Sequence, residues 1–452
     1  MKSTALSSLV VASLAGALAI PAQIFAQDQA AQSQIESQNH RYTLTDLGVV
    51  GAPPGQPLHI TNNGLISGAA AFNNGPQHAI LWYKRQKLDF GTPALGGANS
   101  VAFGINVWGQ AVGEADTLTP DPYGEDFCGF ATLDSQPRNT CLPFIWQNGV
   151  MTQLPTLRNA NGQKGSNGFA NAINVWGVAT GASENATLDP TCPAYDPSIG
   201  QNQKLQEKAV IWQYGHVKEL PMIQGDVDGI ALGISDTGLV AGTSGNCGPL
   251  NQQNFLNIAP VHAILWENGK AIDLQNLGGE LNNRAFAVNN RGDVTGSSDL
   301  KGDVTLHAFL WTKERGKMQD LVPVESDVFS AGLGLNDGRQ VVGVSGDANN
   351  NVRATLWQKG VPVDLNTLIP STSELYLITA CSVNAEGQII GLAIDGTGEF
   401  HGYLVTPRLA ALDSSHGRGE EVFGPMHLPE FVREKLRRQF YFRHLAPRSM
   451  LP

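Results

Sequence analysis

Four histidines occupy one recurring position. His78, His262, His307 and His401 each stand near the head of a short apolar segment, and a set of imidazoles at one level of a ring is a candidate metal site. Their repeats are not contiguous, so the four cannot converge on one ion, and a repeated hydrogen bond from strand end to neighbour accounts for them better. Trp108 and Trp176 sit inside Asn-Val-Trp-Gly turns, where an exposed ring can stack on a sugar or a peptide. Tyr123 and Tyr195, in insertions, complete the aromatic ligand-binding candidates. Asp226, Asp228 and the acidic residues around 121–126 are the oxygen donors a calcium site would use, although scattered surface carboxylates explain them more simply, and no cofactor is expected. Arg291-Gly292-Asp293 matches an adhesion tripeptide but falls on a repeated turn that itself demands Gly292. The chain has no Gly-x-Ser-x-Gly, His-Glu-x-x-His, Cys-x-x-Cys or phosphate-loop pattern, so no catalytic residue and no metal ligand is assigned.

Five cysteines are present. Cys128 and Cys141 share one insertion, and Cys192 and Cys247 lie in the next two. Four cysteines allow three connectivities, of which 128–141 with 192–247 is the simplest in an exported chain. Cys381, on a strand, reads as a buried thiol.

These residues are positioned by a repeat. Trp82, Trp146, Trp212, Trp266, Trp311 and Trp357 each end an apolar segment, and the last intervals set a period near 45 residues, that of a four-stranded propeller blade. The clearest copy runs from His262 to Ser298: strands at His262–Trp266, Ala271–Leu274, Ala285–Val288 and Asp293–Gly296, with an Asn268-Gly269 hairpin between the first two. Turns begin at Asn106, Asn174, Ser235, Asn289, Asn336 and Asn384, and a glycine follows each by seven residues, at Gly113, Gly181, Gly242, Gly296, Gly343 and Gly391. Taking the His-Trp strand as first and innermost, residues 42–70 supply three strands and His401–Leu404 the missing one. The expectation is an all-β, seven-bladed propeller over 42–407, closed by N-terminal strands plus a C-terminal strand in one shared blade.

The motifs His-Ala-(Ile/Phe)-Leu-Trp at 78–82, 262–266 and 307–311, Asp-Leu at 273–274 and 320–321, Leu-Gly-Gly at 95–97 and 277–279, and Val-Val-Gly at 341–343 resemble the HAF family of extracellular repeats. The copies at 143–146 and 208–212 lack the histidine, and Arg353 replaces it in a third. The resemblance implies export and a repeated β architecture, and no reaction.

The remaining segments are read from composition. Lys2, the apolar stretch Leu6–Ile20 and Ala26 predict a signal peptide over 1–26, followed by a flexible segment over 27–41. After the repeats, 408–427 reads as a linker and 428–452 as a basic amphipathic helix that can touch a membrane surface or the propeller itself. The formal net charge is −11, with the acidic excess in the repeats, which excludes nucleic acid as the natural partner. Insertions near 116–142, 184–207 and 245–261 thicken one face and carry four of the cysteines. The functional expectation is therefore an exported monomer that binds an extracellular glycan or protein through a disulfide-stapled loop face, secreted or held at the periplasm or cell surface. The rival expectation is a secreted glycan lyase or hydrolase with its site in the central depression, and a third is a structural envelope protein.

Overall fold

The computed structural model describes residues 41–51, 55–71, 75–84, 86–91, 95–125, 127–130, 138–192, 205–247 and 258–408. The expectations for the leader, the segment up to residue 40, the chain after residue 408 and Tyr195 lie outside them. Seven four-stranded antiparallel sheets are present, and they form a ring of seven blades. Blade 1 shows the pattern: Gln56–Ile60 innermost, then Ile66–Ala71, Gln77–Tyr83 and Gln86–Asp89 outermost. The innermost strands of blades 2 to 7 are Gly96–Ile105, Gly168–Ile173, Asp228–Ile234, Gly278–Val288, Phe329–Leu335 and Leu375–Val383.

The count of seven and the mixed closing blade agree with the sequence reading, but the division of that blade does not. Three of its strands come from the C-terminal side, Leu375–Val383, Ile389–Asp395 and Phe400–Pro407, and one from the N-terminal side, Tyr42–Val49, on the outside. The difference is one of phase. Sequence repetition fixes the cyclic order of strands but not which of them starts a blade. The strand headed by the histidines is third, not innermost, and so is the strand that ends in each tryptophan. Steric room decides the innermost place. A Cβ on Gly104 would lie 2.9 Å from Ala172 Cα of the next blade, and one on Gly334 would lie 2.9 Å from Ser382 Cα. Blades 2 to 7 place Gly, Ala or Ser at this point, which lets their innermost strands approach one another around the axis.

The recurring glycine has its own cause. Each innermost strand carries a β-bulge against its partner, for example between Ala285 and Ala287. The bulge pushes a carbonyl oxygen toward the second strand, so a Cβ on Gly296 would sit 1.8 Å from Arg284 O, and one on Gly391 1.9 Å from Thr379 O. No side chain fits there, and the offset of seven residues from the turn records the bulge.

The core is a set of slabs between neighbouring sheets rather than a single centre. Trp212 of blade 3 packs with Val112, Leu154 and Leu157 of blade 2, and its indole N–H donates to Pro155 O of the connecting segment at 2.7 Å. Trp266 and Trp357 repeat the bond to Pro221 O and Val322 O. All six recurring tryptophans are buried, each a large ring wedged between two sheets. The outermost strand Gln86–Asp89 is exposed throughout, at the rim of its blade.

Candidate functional site

Alternation of strand direction sorts the connections onto two faces. Turns from innermost to second strand, and from third to outermost, share one face. The second-to-third connections and the crossings between blades share the other. Trp108 and Trp176 belong to the first face, whereas both disulfides, Cys128–Cys141 and Cys192–Cys247, belong to the second. The expectation that all aromatic candidates gather on the stapled face is therefore corrected, because the Asn-Val-Trp-Gly turns join innermost to second strands. The two disulfides themselves form with the connectivity expected, joining Cys128 to Cys141 and Cys192 to Cys247.

The turn face is built on an asparagine ladder. Asn106 Oδ1 accepts from the amides of Trp108 and Gln110, which shapes the turn, while its Nδ2 donates to Asn174 O of the next blade at 3.0 Å. Asn174 continues to Ser235 O, Asn289 to Asn336 O, Asn336 to Asn384 O, and Asn384 closes the ring onto Thr61 O at 3.2 Å. Ser235 and Thr61 have no amide to continue the chain. A second tier runs beside it, where Val175 N donates to Asp236 Oδ1, Asp236 N to Asn290 Oδ1 and Asn290 N to Asp337 Oδ1. Ladder and tier line a central cavity of about 170 Å³ together with His59. His59 stands where the other innermost strands place Gly104, Ala172, Gly233, Ala287, Gly334 and Ser382. Burial lowers its pKa to about 4 against the opposing pull of Asp236, and its Nδ1 has no hydrogen-bond partner among the described residues.

Beside this cavity the two turn tryptophans stand out of the surface, Trp108 70% and Trp176 72% exposed. Neither ring is loose. Trp108 Nε1 donates to Val175 O at 3.0 Å and Trp176 Nε1 to Asp236 O at 2.8 Å, each reaching across to the next blade. Tyr214, on a third-to-outermost turn of blade 3, is exposed on the same face. Tyr123 lies on the opposite face, half-buried, its backbone amide held by Asp121 Oδ1.

The stapled face covers charge. Phe127, beside Cys128, packs on Phe169 of blade 3 within a cluster that includes Phe103, Ile230 and Phe286, so the insert reaches over the inner strands. Beneath and beside it lie Glu114, Asp121, Glu125, Glu184, Asp189, Glu207 and Asp228, every one buried. Asp121, Glu125 and Asp228 are thus not the scattered surface carboxylates the sequence suggested, Asp126 lies outside the described residues, and Asp226 stands apart, bonded to Ser244 and His262. Glu184 Oε2 accepts from the amides of Ser166 and Asn167, Asn167 Nδ2 donates to Asp121 Oδ2, and Asp228 Oδ1 accepts from Glu207 N. Burial drives the Glu184 pKa up to about 7 and that of Asp228 to about 9, with Asp189 at hydrogen-bond reach adding to the latter, and carries Glu207 well above the usual range. Sequence reading missed Glu184 and Glu207. A signal existed, because the cross-strand pair Glu184 and Glu207 replaces apolar pairs such as Gly346 with Val352 and Ile394 with Phe400.

The recurring histidines do what a repeat residue does. His78 bonds Asp89, His307 bonds Asp320 and His401 bonds Asp46, each from third to outermost strand at 2.9–3.1 Å. His262 takes Asp226 instead, and Arg353 bridges Asp327 and Asp364. The Arg291-Gly292-Asp293 tripeptide keeps Asp293 buried and clamped by Arg339. Cys381 is the bulged residue of the innermost strand Leu375–Val383, and burial pushes its thiol up to about 11, which makes it a poor nucleophile.

The class of protein is a disulfide-containing seven-bladed β-propeller. No family model matches the chain, and no curated protein matches it. Among solved structures it is similar to YCF48 bound to D1 peptide, at 10% identity and TM-score 0.42 over 84% of this chain and 97% of that one. It is also similar to a puromycin-hydrolysing peptidase of Mycobacterium tuberculosis, at 12% identity and TM-score 0.40 over 81% and 53%. A sialidase of Trypanosoma rangeli in complex with sialic acid aligns at 9% identity and TM-score 0.34 over 82% and 54%. The chain spans about half the length of that peptidase and of a similar acylaminoacyl peptidase of Pyrococcus horikoshii. At these scores none of them bears on function.

Proposed function

We propose that this chain is an exported propeller of HAF-type repeats that binds an extracellular carbohydrate on its turn face, with Trp108 and Trp176 as the stacking platform. The observation that carries the reading is the pair itself: two indoles on adjacent blades, each more than two-thirds exposed and each locked by its N–H to the next blade. An aromatic ring held in one orientation loses little entropy on binding, and its flat apolar face suits a sugar ring. Export is supported by the leader-like residues before Gln27 and by two disulfides, which persist in oxidising compartments. The buried carboxylates of the other face are shielded from substrate, so they do not favour the glycan-cleaving alternative.

The test is a glycan array probed with the exported chain, alongside Trp108→Ala and Trp176→Ala. A specific glycan signal lost in both variants supports the reading. A signal that survives both variants places the ligand elsewhere, and the absence of any glycan signal leaves a protein as the ligand of this face.

A further inference from the structure

We propose that the turn face selects a glycan with free amino groups, whose ammonium is taken at the mouth of the central cavity by Asp236 and Asp337. The inference rests on the Trp108–Trp176 platform proposed above and adds the charge that its ligand must carry. The turn tips do not form a uniform rim. Immediately after the first residue of each turn, blades 2 and 3 carry Val107 and Val175, whereas blades 4, 5 and 6 carry Asp236, Asn290 and Asp337. All five line the cavity. One side of its mouth is therefore apolar and adjoins the two indoles, and the other is polar and acidic.

The two sides are joined by hydrogen bonds. Trp176 Nε1 donates to Asp236 O at 2.8 Å and Val175 N to Asp236 Oδ1 at 3.1 Å, so this carboxylate is fixed at the foot of the platform with its Oδ2 left for a ligand. Asp337 is held by Asn290, whose backbone and side-chain amides donate to its two oxygens. Both aspartates are exposed. Among the described residues no lysine or arginine lines the cavity. Arg291 and Arg339, on the neighbouring turns, are engaged by Asp293 at 3.7 Å and 2.9 Å.

His59 is a separate observation. Blades 2 to 7 complete the ring with Gly, Ala or Ser at this level, so packing does not call for an imidazole in blade 1. The residue lines the cavity, and its Nδ1 has no hydrogen-bond partner among the described residues. With its pKa lowered to about 4 it is uncharged at neutral pH, and so adds a hydrogen-bonding wall without adding positive charge.

This chemistry selects among sugars. An ammonium group offers three N–H donors to carboxylates that only accept, in charge-assisted bonds. It is also attracted to the face of an indole, so platform and acids favour the same charge. A sugar acid would bring its carboxylate against Asp236 and Asp337, with no cation on the cavity wall to pair with it. An N-acetylated sugar stacks as well as an amino sugar but offers one amide N–H and no charge.

The experiment uses the full chain with both disulfides formed. Oligomers of glucosamine, of N-acetylglucosamine and of a uronic acid, matched in length, are titrated calorimetrically at about pH 6, where amines are protonated and carboxylates ionised. Wild type, Trp176→Ala, Asp236→Asn and Asp337→Asn are compared, and Asp236→Asn keeps an acceptor for Val175 N, so it is readable even where Asp337→Asn disturbs its turn. The expected result is binding of the glucosamine oligomer about tenfold tighter than its acetylated counterpart and no binding of the uronate. That preference shrinks in both acidic variants and with added salt, and Trp176→Ala loses the glycan altogether. Equal or tighter binding of the acetylated or acidic oligomer, lost in Trp176→Ala, would overturn the proposal and leave the platform reading standing. An amine preference undiminished in both acidic variants would place the ammonium elsewhere and overturn it too. Failure of all three oligomers would also overturn it, and the glycan array then decides whether the platform reading fails with it.

Discussion

The indole nitrogen of Trp108 donates to the carbonyl of Val175 in the adjacent blade at 3.0 Å while most of the ring faces outward. Trp176 makes the same contact with Asp236 one blade further on. Exposure and immobility together distinguish these rings from Trp212, which is buried between sheets and holds the fold. Trp108→Ala is expected to abolish ligand binding while lowering stability by only about 1 kcal/mol, the worth of one hydrogen bond. Trp212→Ala is expected to cost about 3–5 kcal/mol. Parallel denaturant titrations of the two variants check the contrast.

The asparagine ladder is open where Ser235 and Thr61 replace asparagine. Asn384→Ala removes the bond to Thr61 O that joins the last blade to the first, and is expected to destabilise the ring by about 1–2 kcal/mol, since Asn384 also caps its own turn. Ser235→Asn should act in the opposite sense, because its amide would reach Asn289 O as Asn174 reaches Ser235 O, adding about 1 kcal/mol. Urea midpoints of both variants test the pair of signs.

The two disulfides span unequal lengths of chain, 13 residues for Cys128–Cys141 and 55 for Cys192–Cys247. Closing the longer loop removes more freedom from the unfolded chain, about 4 kcal/mol against about 3. Replacing Cys192 and Cys247 by serine should therefore lower the unfolding midpoint more than replacing Cys128 and Cys141. Calorimetric scans of the two double variants give the order.

His59 carries a pH dependence. Its folded pKa, lowered to about 4 chiefly by burial, lies below the ordinary 6.5, so between those values the unfolded chain binds a proton that the folded chain refuses. Stability from this group is complete above about pH 6.5 and is lost as pH falls toward 4. His59 is half-buried beside the open central cavity, so the loss is about 2–3 kcal/mol at most. His59→Gln should flatten that part of the stability profile, measured by denaturant unfolding across the acid range. An unchanged slope in the variant would assign the dependence to other groups.

Much of the ring was legible because repetition is a one-dimensional signal. The tryptophan period, the turn asparagines and the glycine seven residues later were enough for seven blades and a shared closing blade. The cysteines, too few for many pairings, were legible as well. The Glu184–Glu207 pair was legible only in part: comparing repeat copies shows glutamates where others carry apolar residues, but that the two face each other in a closed space appears only once the strands are paired.

From sequence alone come the cyclic succession of strands, the blade count and the recurrence of histidines and turn asparagines at fixed places, all of which depend on spacing within or between copies of one motif. Tertiary structure decided the rest. A cyclic repeat has no marked beginning, so only the close approach of Gly104 to Ala172 and of Gly334 to Ser382 selects the innermost strand. That choice sets the direction of every turn, and with it the separation of Trp108 and Trp176 from the disulfides. The face on which a loop emerges, and whether a carboxylate meets water or another carboxylate, depend on contacts between distant segments, which local chain pattern does not encode.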